Sequence, residues 1–160
     1  MKGSAGEDRP VGLSAKRNEL EQLCLRHGLA LVYLFGSQAE RGARLFAGEA
    51  NGPSDALADL DVGVVTLDPL PPPSERAQFY AALFNDLEDL VKPFPLDLVL
   101  LEENHSVFQL EALKGICLYQ ASEERREAYE MDILRRAADF APVLDLFHRE
   151  ALEEFGVGKP

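Results

Sequence analysis

The sequence predicts an α/β (α+β) fold: one small mixed β-sheet flanked by helices, with more helix at the C-terminus. Three observations predict it. Short apolar runs recur at 30–35, 61–67, 95–101 and 116–120, each with the length and bounding turn residues of a strand. The stretches between them carry apolar residues at helical spacing. The 160 residues, 46% of them apolar, suffice for one domain with a core. Residues 1–12 read as a disordered leader, 13–121 as the body of the domain and 122–160 as its helical extension.

Taken in order, Ser14 is placed to cap a helix over 15–27 that carries Leu20, Leu23 and Cys24 on one face, with Gly28 as its C-cap. The strand 30–35 follows and stops at Gly36-Ser37, where Gln38-Ala39-Glu40 begins a helical turn. Residues 42–58, with three glycines and a proline, read as a long loop. The β-branched run 61–67 is a strand, and "DPLPPPSE" an extended connector. Ser74 is placed to cap a helix over 75–91 with the stripe Phe79, Leu83, Leu87 and Leu90. "PLDLVLL" (95–101) is a third strand. A helix over 105–114 ends at Gly115, "ICLYQ" (116–120) is a last strand, and helix follows from Ser122, divided at Pro142. No internal repeat is present.

Charge narrows the function classes. The formal charge is −12, from 28 acidic against 16 basic residues. Such a surface repels phosphate backbones, which argues against nucleic acid and favours a basic protein or a metal–nucleotide complex. The first residues have no apolar core of a signal peptide, and no apolar run is long enough to span a bilayer. No membrane association and a cytoplasmic location are expected. Cys24 and Cys117 have no metal-site spacing and are expected to remain thiols.

The chemistry rests on three carboxylates. Aspartate is depleted in strands because burying an unpaired charge is costly. Yet Asp59 and Asp61 open one strand and Asp97 stands among Leu96, Leu98, Val99 and Leu100 in another. Residues i and i+2 of a strand face one side, so Asp59 and Asp61 are expected to point together. Two such charges ~4 Å apart repel by about 4 kcal/mol at an effective dielectric of ~20. A divalent cation offsets that, and Mg²⁺ favours one or two carboxylates with phosphate oxygens and water. Gly36 and Ser37, between a strand and a helix, can offer backbone N–H groups to a phosphate. Each feature also has a structural reading. Asp59 can sit in solvent at a strand end, Asp61 can cap a turn, and "SQAE" (37–40) fits a capping box.

In the order "LFGS…DLDVGVV…PLDLVLL" these pieces resemble the nucleotidyltransferase fold of the DNA-polymerase-β-like superfamily. Within it, the chain resembles most the minimal nucleotidyltransferases (MNT), which include antitoxins paired with HEPN-domain toxins. The resemblance covers roughly residues 15–120. It implies ATP as the nucleotide donor and Mg²⁺ as cofactor. It also implies phosphate binding by Gly36 and Ser37, metal binding by Asp59, Asp61 and Asp97, and a catalytic role for all three carboxylates. The sequence departs from the pattern in three places. Ser37 and Asp59 are separated by 21 residues, a longer interval than the family's. Ala58 stands where a serine usually precedes the first Asp, and "GSQAERG" is one residue longer than G-S-x-A-x-G. Asp55, with Ser54, is the alternative first ligand, but only Asp59 has the i, i+2 relation to Asp61.

The expected function is transfer of AMP to a tyrosine hydroxyl of a partner HEPN toxin, with this protein as its antitoxin. The alternatives are a non-catalytic antitoxin that masks a toxin, and a nucleotidyltransferase for a small molecule such as an aminoglycoside. His27, His105 and His148 are scattered and read as surface or capping residues, and the Cys24/His27 pair is weak evidence for zinc. Arg125, Arg126, Arg135 and Arg136 read as a solvated helix face. Phe140, Leu144, Phe147, Ala151 and Phe155 form an apolar stripe that packs on the domain's own sheet, meets a partner, or joins copies in a homo-oligomer.

Overall fold

The computed structural model describes residues 11–140. Helix α1 (Val11–His27) leads into strand β1 (Leu29–Phe35), helix α2 (Ala39–Phe46) and strand β2 (Leu60–Thr66). Helix α3 (Pro73–Leu90) carries the chain to strand β3 (Leu96–Leu100) and a 3₁₀ turn over Leu101–Glu103. Helix α4 (Ser106–Leu113), strand β4 (Ile116–Gln120) and helix α5 (Glu123–Ala138) complete the fold. The strands form one mixed sheet in the order β3-β2-β1-β4. β1 runs antiparallel to β2 and β4, whereas β2 and β3 are parallel. A parallel pair needs a crossover, and α3 supplies it.

Each face of the sheet carries its own core. On one, Val32, Leu34, Val62, Val64 and Leu98 pack with Leu20 and Leu23 of α1, Phe46 of α2, and Leu83 and Leu87 of α3. On the other, Leu31, Tyr33 and Val65 pack with Leu101, Ala112 of α4 and Tyr129 of α5. β1 lies between them, buried from Leu29 to Leu34. The edge strand β3 is covered in part by Tyr80 of α3, whose hydroxyl donates to the Leu98 carbonyl at 2.9 Å; a bonded carbonyl is closed to a foreign strand.

Several local expectations are corrected. α1 begins at Val11, so Ser14 lies within the helix rather than at its cap. Pro73 opens α3 without a side-chain cap, replacing Ser74 in that role; proline suits the first helical position because its missing N–H has no intrahelical partner there. The loop expected over 42–58 is shorter, because α2 continues through Phe46. Gly42 is the reason. A Cβ there would stand 2.7 Å from Leu60 Cδ1 and 3.2 Å from Leu34 Cδ1, so its absence lets the helix press on the sheet and bury Leu45 and Phe46.

Arg125 and Arg126 are not simply solvated. Arg125 donates to the Thr66 carbonyl at 3.0 Å, and Arg126 pairs with Glu130 at 2.9 Å. Glu130 in turn accepts from the fully buried Tyr33 hydroxyl at 2.7 Å. These bonds fasten α5 to the sheet. Ser122 does cap α5, its hydroxyl accepting from the Arg125 N–H at 3.1 Å. Pro142, His148 and the stripe beyond Phe140 lie outside the described residues.

Among the described residues no helix is long and apolar enough to cross a membrane. The packing under α2 makes one prediction. Gly42→Val should lower unfolding stability by about 1–3 kcal/mol, the usual cost of overfilling a packed interior, read as a lower urea midpoint at unchanged m-value.

Candidate active site

The parallel register of β2 and β3 pairs Leu60 with Leu96, Asp61 with Asp97 and Val62 with Leu98. Leucine and valine on either side of the aspartates enter the core under α1 and α3. Side chains alternate along a strand, so Asp61 and Asp97 both turn to the opposite face. There Asp61 is half-buried and Asp97 is exposed. Burial first, then Asp97 alongside and the charge of Asp59, push the Asp61 carboxyl up to about 6.

Asp59 stands apart from this pair. It lies just before β2, exposed, so strand alternation does not fix its direction. It acts on Asp61 through its charge. Among the described residues no group of three or more His, Cys, Asp or Glu is arranged to hold a metal ion. The assembled carboxylates are therefore a pair, the number Mg²⁺ uses when substrate phosphates and water complete its shell. The donor set fits such an ion.

The Gly-Ser turn closes on the same pair. β1 runs antiparallel to β2 with Phe35 opposite Asp61, so the next residue, Gly36, meets the carboxylate. Gly36 has φ +75°, and a Cβ added there would fall on Asp61 Oδ2. Glycine is required twice over, by the backbone conformation and by the space. Ser37 is exposed beside it. The capping box expected at Ser37 is not formed: α2 starts at Ala39 behind Gln38, with no side-chain cap. The Ser37 hydroxyl instead accepts from Gln38 Nε2 at 3.1 Å.

Gln38 was not singled out in the sequence, although the extra residue in "GSQAERG" marks its neighbourhood. It is 3% exposed. Its Nε2 also donates to Ser54 Oγ at 3.0 Å, and its Oε1 accepts the Ser54 N–H at 2.9 Å. Arg41 donates to the Gly52 carbonyl at 3.0 Å. The long connection before Asp59 is thus tied to α2. Asp55, the alternative ligand, folds back to accept the Leu57 N–H at 2.9 Å, a local turn bond.

The scattered residues take structural roles. Cys24 is buried in the core and its thiol is pushed up to about 12 by burial first and then by the charge of Glu21. His27 turns to Asp86 at 2.7 Å, so the two do not form a metal pair. His105 caps α4 by accepting the Val107 N–H at 3.2 Å. Both cysteines are free.

A strand ending in glycine and serine, against two carboxylates on parallel neighbours, is joined by a match of family profile. Residues 18–124 match the polymerase beta nucleotidyltransferase domain, more than half of the chain. The chain belongs to that family. As a nucleotidyltransferase it has a nucleotide substrate, and a divalent metal goes with the fold in general. Solved structures carry the likeness over nearly the whole chain. One is a complex of a tri-AMPylated HEPN toxin with MNT antitoxin from Shewanella oneidensis, at TM-score 0.56 and 16% identity, covering 88% of this chain and 98% of that one. A toxin–antitoxin structure with AMP-PNP aligns at TM-score 0.57 and 17% identity, covering 85% and 98%. The MntA–HepT toxin–antitoxin aligns at TM-score 0.55 and 15% identity, covering 87% and 98%. At these identities the likeness is one of fold, the fold of MNT antitoxins. No curated protein matches the chain.

Two carboxylates in register repel when no cation lies between them. Asp61→Asn keeps the shape and gives Asp97 an N–H to accept. Like charges directly opposite in a sheet cost up to about 1 kcal/mol, so in EDTA at pH 8, above the raised range of Asp61, this variant should melt up to about 4 °C above the wild type. Differential scanning fluorimetry reads the shift, and a lower melting temperature for the variant would contradict the repulsion.

Proposed function

We propose that this protein is the antitoxin of a toxin–antitoxin pair, and that it works as a Mg²⁺-dependent nucleotidyltransferase. It transfers AMP from ATP to a tyrosine hydroxyl of a HEPN-domain toxin. The observation that carries this reading is Asp61 opposite Asp97 beneath the Gly36–Ser37 turn. The fold it shares with an MNT antitoxin held by a tri-AMPylated HEPN toxin supports the choice of acceptor.

In this reading Gly36 lets the backbone approach the triphosphate, and the Ser37 hydroxyl and the first amides of α2 hold its outer phosphates. Asp61 and Asp97 would hold the metal ion, and Asp59, which stands apart on the loop, would join them when the nucleotide binds. A bound Mg²⁺ neutralises charge that develops on the phosphoryl oxygens. The acceptor oxygen bonds to the α-phosphorus while the bond from that phosphorus to the bridging oxygen breaks, and pyrophosphate leaves. Asp97, the more exposed of the pair, takes the hydroxyl proton. Catalysis is positioning and electrostatics throughout.

The rim of the site suits a macromolecular acceptor. Leu57, two residues before Asp59, is 89% exposed. Phe108 is 40% exposed and packs edge-on against Phe35 at 6.0 Å, beside the Gly36 turn. In this reading the two side chains offer a protein acceptor apolar contacts beside the polar centre. Simple masking is the second reading, favoured by Met131 and Leu134, exposed on α5.

Turnover separates the two. The toxin, treated with MgATP and a sub-stoichiometric amount of this protein and then purified from it, should gain the mass of AMP and stay inactive. Asp97→Asn should slow the transfer by about 10²–10⁴-fold, the usual contribution of a general base. Intact-mass spectrometry reads both. Full recovery of toxin activity with no added mass would leave masking as the function.

A further inference from the structure

We infer that Gln38 is a positioning residue that fixes the Ser37 hydroxyl as a donor toward a bound anion, and that the long loop before Asp59 holds Gln38 in that state. The inference rests on the nucleotide-binding reading above and deepens it. Its basis is the direction of the hydrogen bonds. The Ser54 N–H can only donate, so the Gln38 atom that receives it at 2.9 Å is Oε1. That fixes the orientation of the amide. Nε2 is then the end that meets Ser37 Oγ at 3.1 Å and Ser54 Oγ at 3.0 Å. An amide nitrogen of this kind donates and does not accept. Ser37 Oγ therefore accepts from Gln38, and its own hydrogen is directed elsewhere.

Ser37 is exposed beside Gly36 and the Asp61 carboxylate. Its hydroxyl hydrogen is thus available to a phosphate oxygen. Burial of Gln38 at 3% exposure strengthens the case. A buried amide is satisfied or costly, and here both ends are satisfied only when the loop is closed on α2. Were the amide to turn over, the Ser54 N–H would face an N–H₂ group and Ser37 would be asked to donate inward. The loop thereby sets the polarity of a group in the phosphate turn. Arg41 closes the same loop a second time, at the Gly52 carbonyl 3.0 Å away.

The chemical consequence is specific. Gln38→Glu keeps the length and the acceptor for the Ser54 N–H but removes the donor to Ser37. The Ser37 hydroxyl then donates to the new carboxylate and is lost to the phosphate. A hydrogen bond to a charged group contributes about 1.5–3 kcal/mol, so affinity for a nucleotide should fall by about tenfold or more. The new negative charge would also repel a triphosphate, and a double-mutant cycle separates the two effects.

The experiment is calorimetric titration of the full chain with each of the four Mg²⁺–ribonucleoside triphosphates. The proteins are wild type, Gln38→Glu, Ser37→Ala and the double variant, each first shown to be folded by circular dichroism. Expected is a loss of about tenfold or more for Gln38→Glu alone, reduced to about twofold or less when Ser37 is already alanine. An equal loss in both backgrounds would mean that the carboxylate acts by charge, and it overturns the inference while leaving nucleotide binding intact. Wild-type protein that binds none of the four nucleotides overturns the functional reading and the inference with it. Should Gln38→Glu not fold, Gln38→Met replaces it, keeping the length without donor or acceptor. A loss of affinity that again disappears with Ser37→Ala supports the inference, and an unchanged affinity overturns it.

Discussion

The parallel pairing of β2 with β3 is the constraint on which the rest depends. Side chains alternate with period two, so a slip of one residue in either strand would turn its aspartate into the core. The neighbours prevent the slip. Leu60 and Val62 on one strand, Leu98 and Leu100 on the other, are buried among α1 and α3. The hydrophobic effect on one face thereby fixes the position of charge on the other. α3 is part of the same device, since it both closes the crossover and supplies Leu83 and Leu87 to the core that holds the register.

That arrangement carries a local penalty. Burial and two neighbouring negative charges disfavour ionisation of Asp61, and a carboxyl so raised weakens the fold as pH climbs through its range. The sheet tolerates this because the strands bearing the charges are held elsewhere. β1, between the two cores, is buried along nearly its whole length and pairs with both neighbours. Repulsion placed at the strand ends, where solvent reaches Asp97, costs less than the same repulsion inside a core. The negative charge that results stands at the candidate site, beside Gly36.

Much of this was legible in the sequence. The β-branched run before Thr66 and the run 96–100 can be read as strands from composition and length. Asp97, isolated among leucines and valines, announces itself because a strand seldom keeps an aspartate without cause. Gly36 was legible as a turn, though not as the residue whose missing Cβ makes room for Asp61. What escaped reading depends on contacts distant in sequence. Gly42 looks like a helix breaker until Leu60 and Leu34 are seen pressed against it. Arg125 looks solvent-facing until the Thr66 carbonyl, across the sheet from it in sequence, is found at its guanidinium. The extra residue in "GSQAERG" marks the neighbourhood of Gln38 but not its role, because its partner Ser54 is fixed by how the loop folds back.

The long interval between Ser37 and Asp59 was the chief departure from the family pattern, and the fold explains why it leaves the site geometry intact. The relation of Gly36 to Asp61 is not set by the chain that joins them. It is set by the antiparallel ladder that places Phe35 opposite Asp61, whatever lies between. Lengthening a loop costs little in closure entropy, since the cost grows only with the logarithm of its length. The added residues are also ordered by bonds to α2, through Gln38 and Arg41. Insertion at this point therefore adds surface to the mouth of the site, including the exposed Leu57, without moving the carboxylates. A loop that enters the strand of Asp61 at one end and grips the neighbour of Ser37 at the other can vary in length and surface while the ladder beneath it holds Gly36 against Asp61.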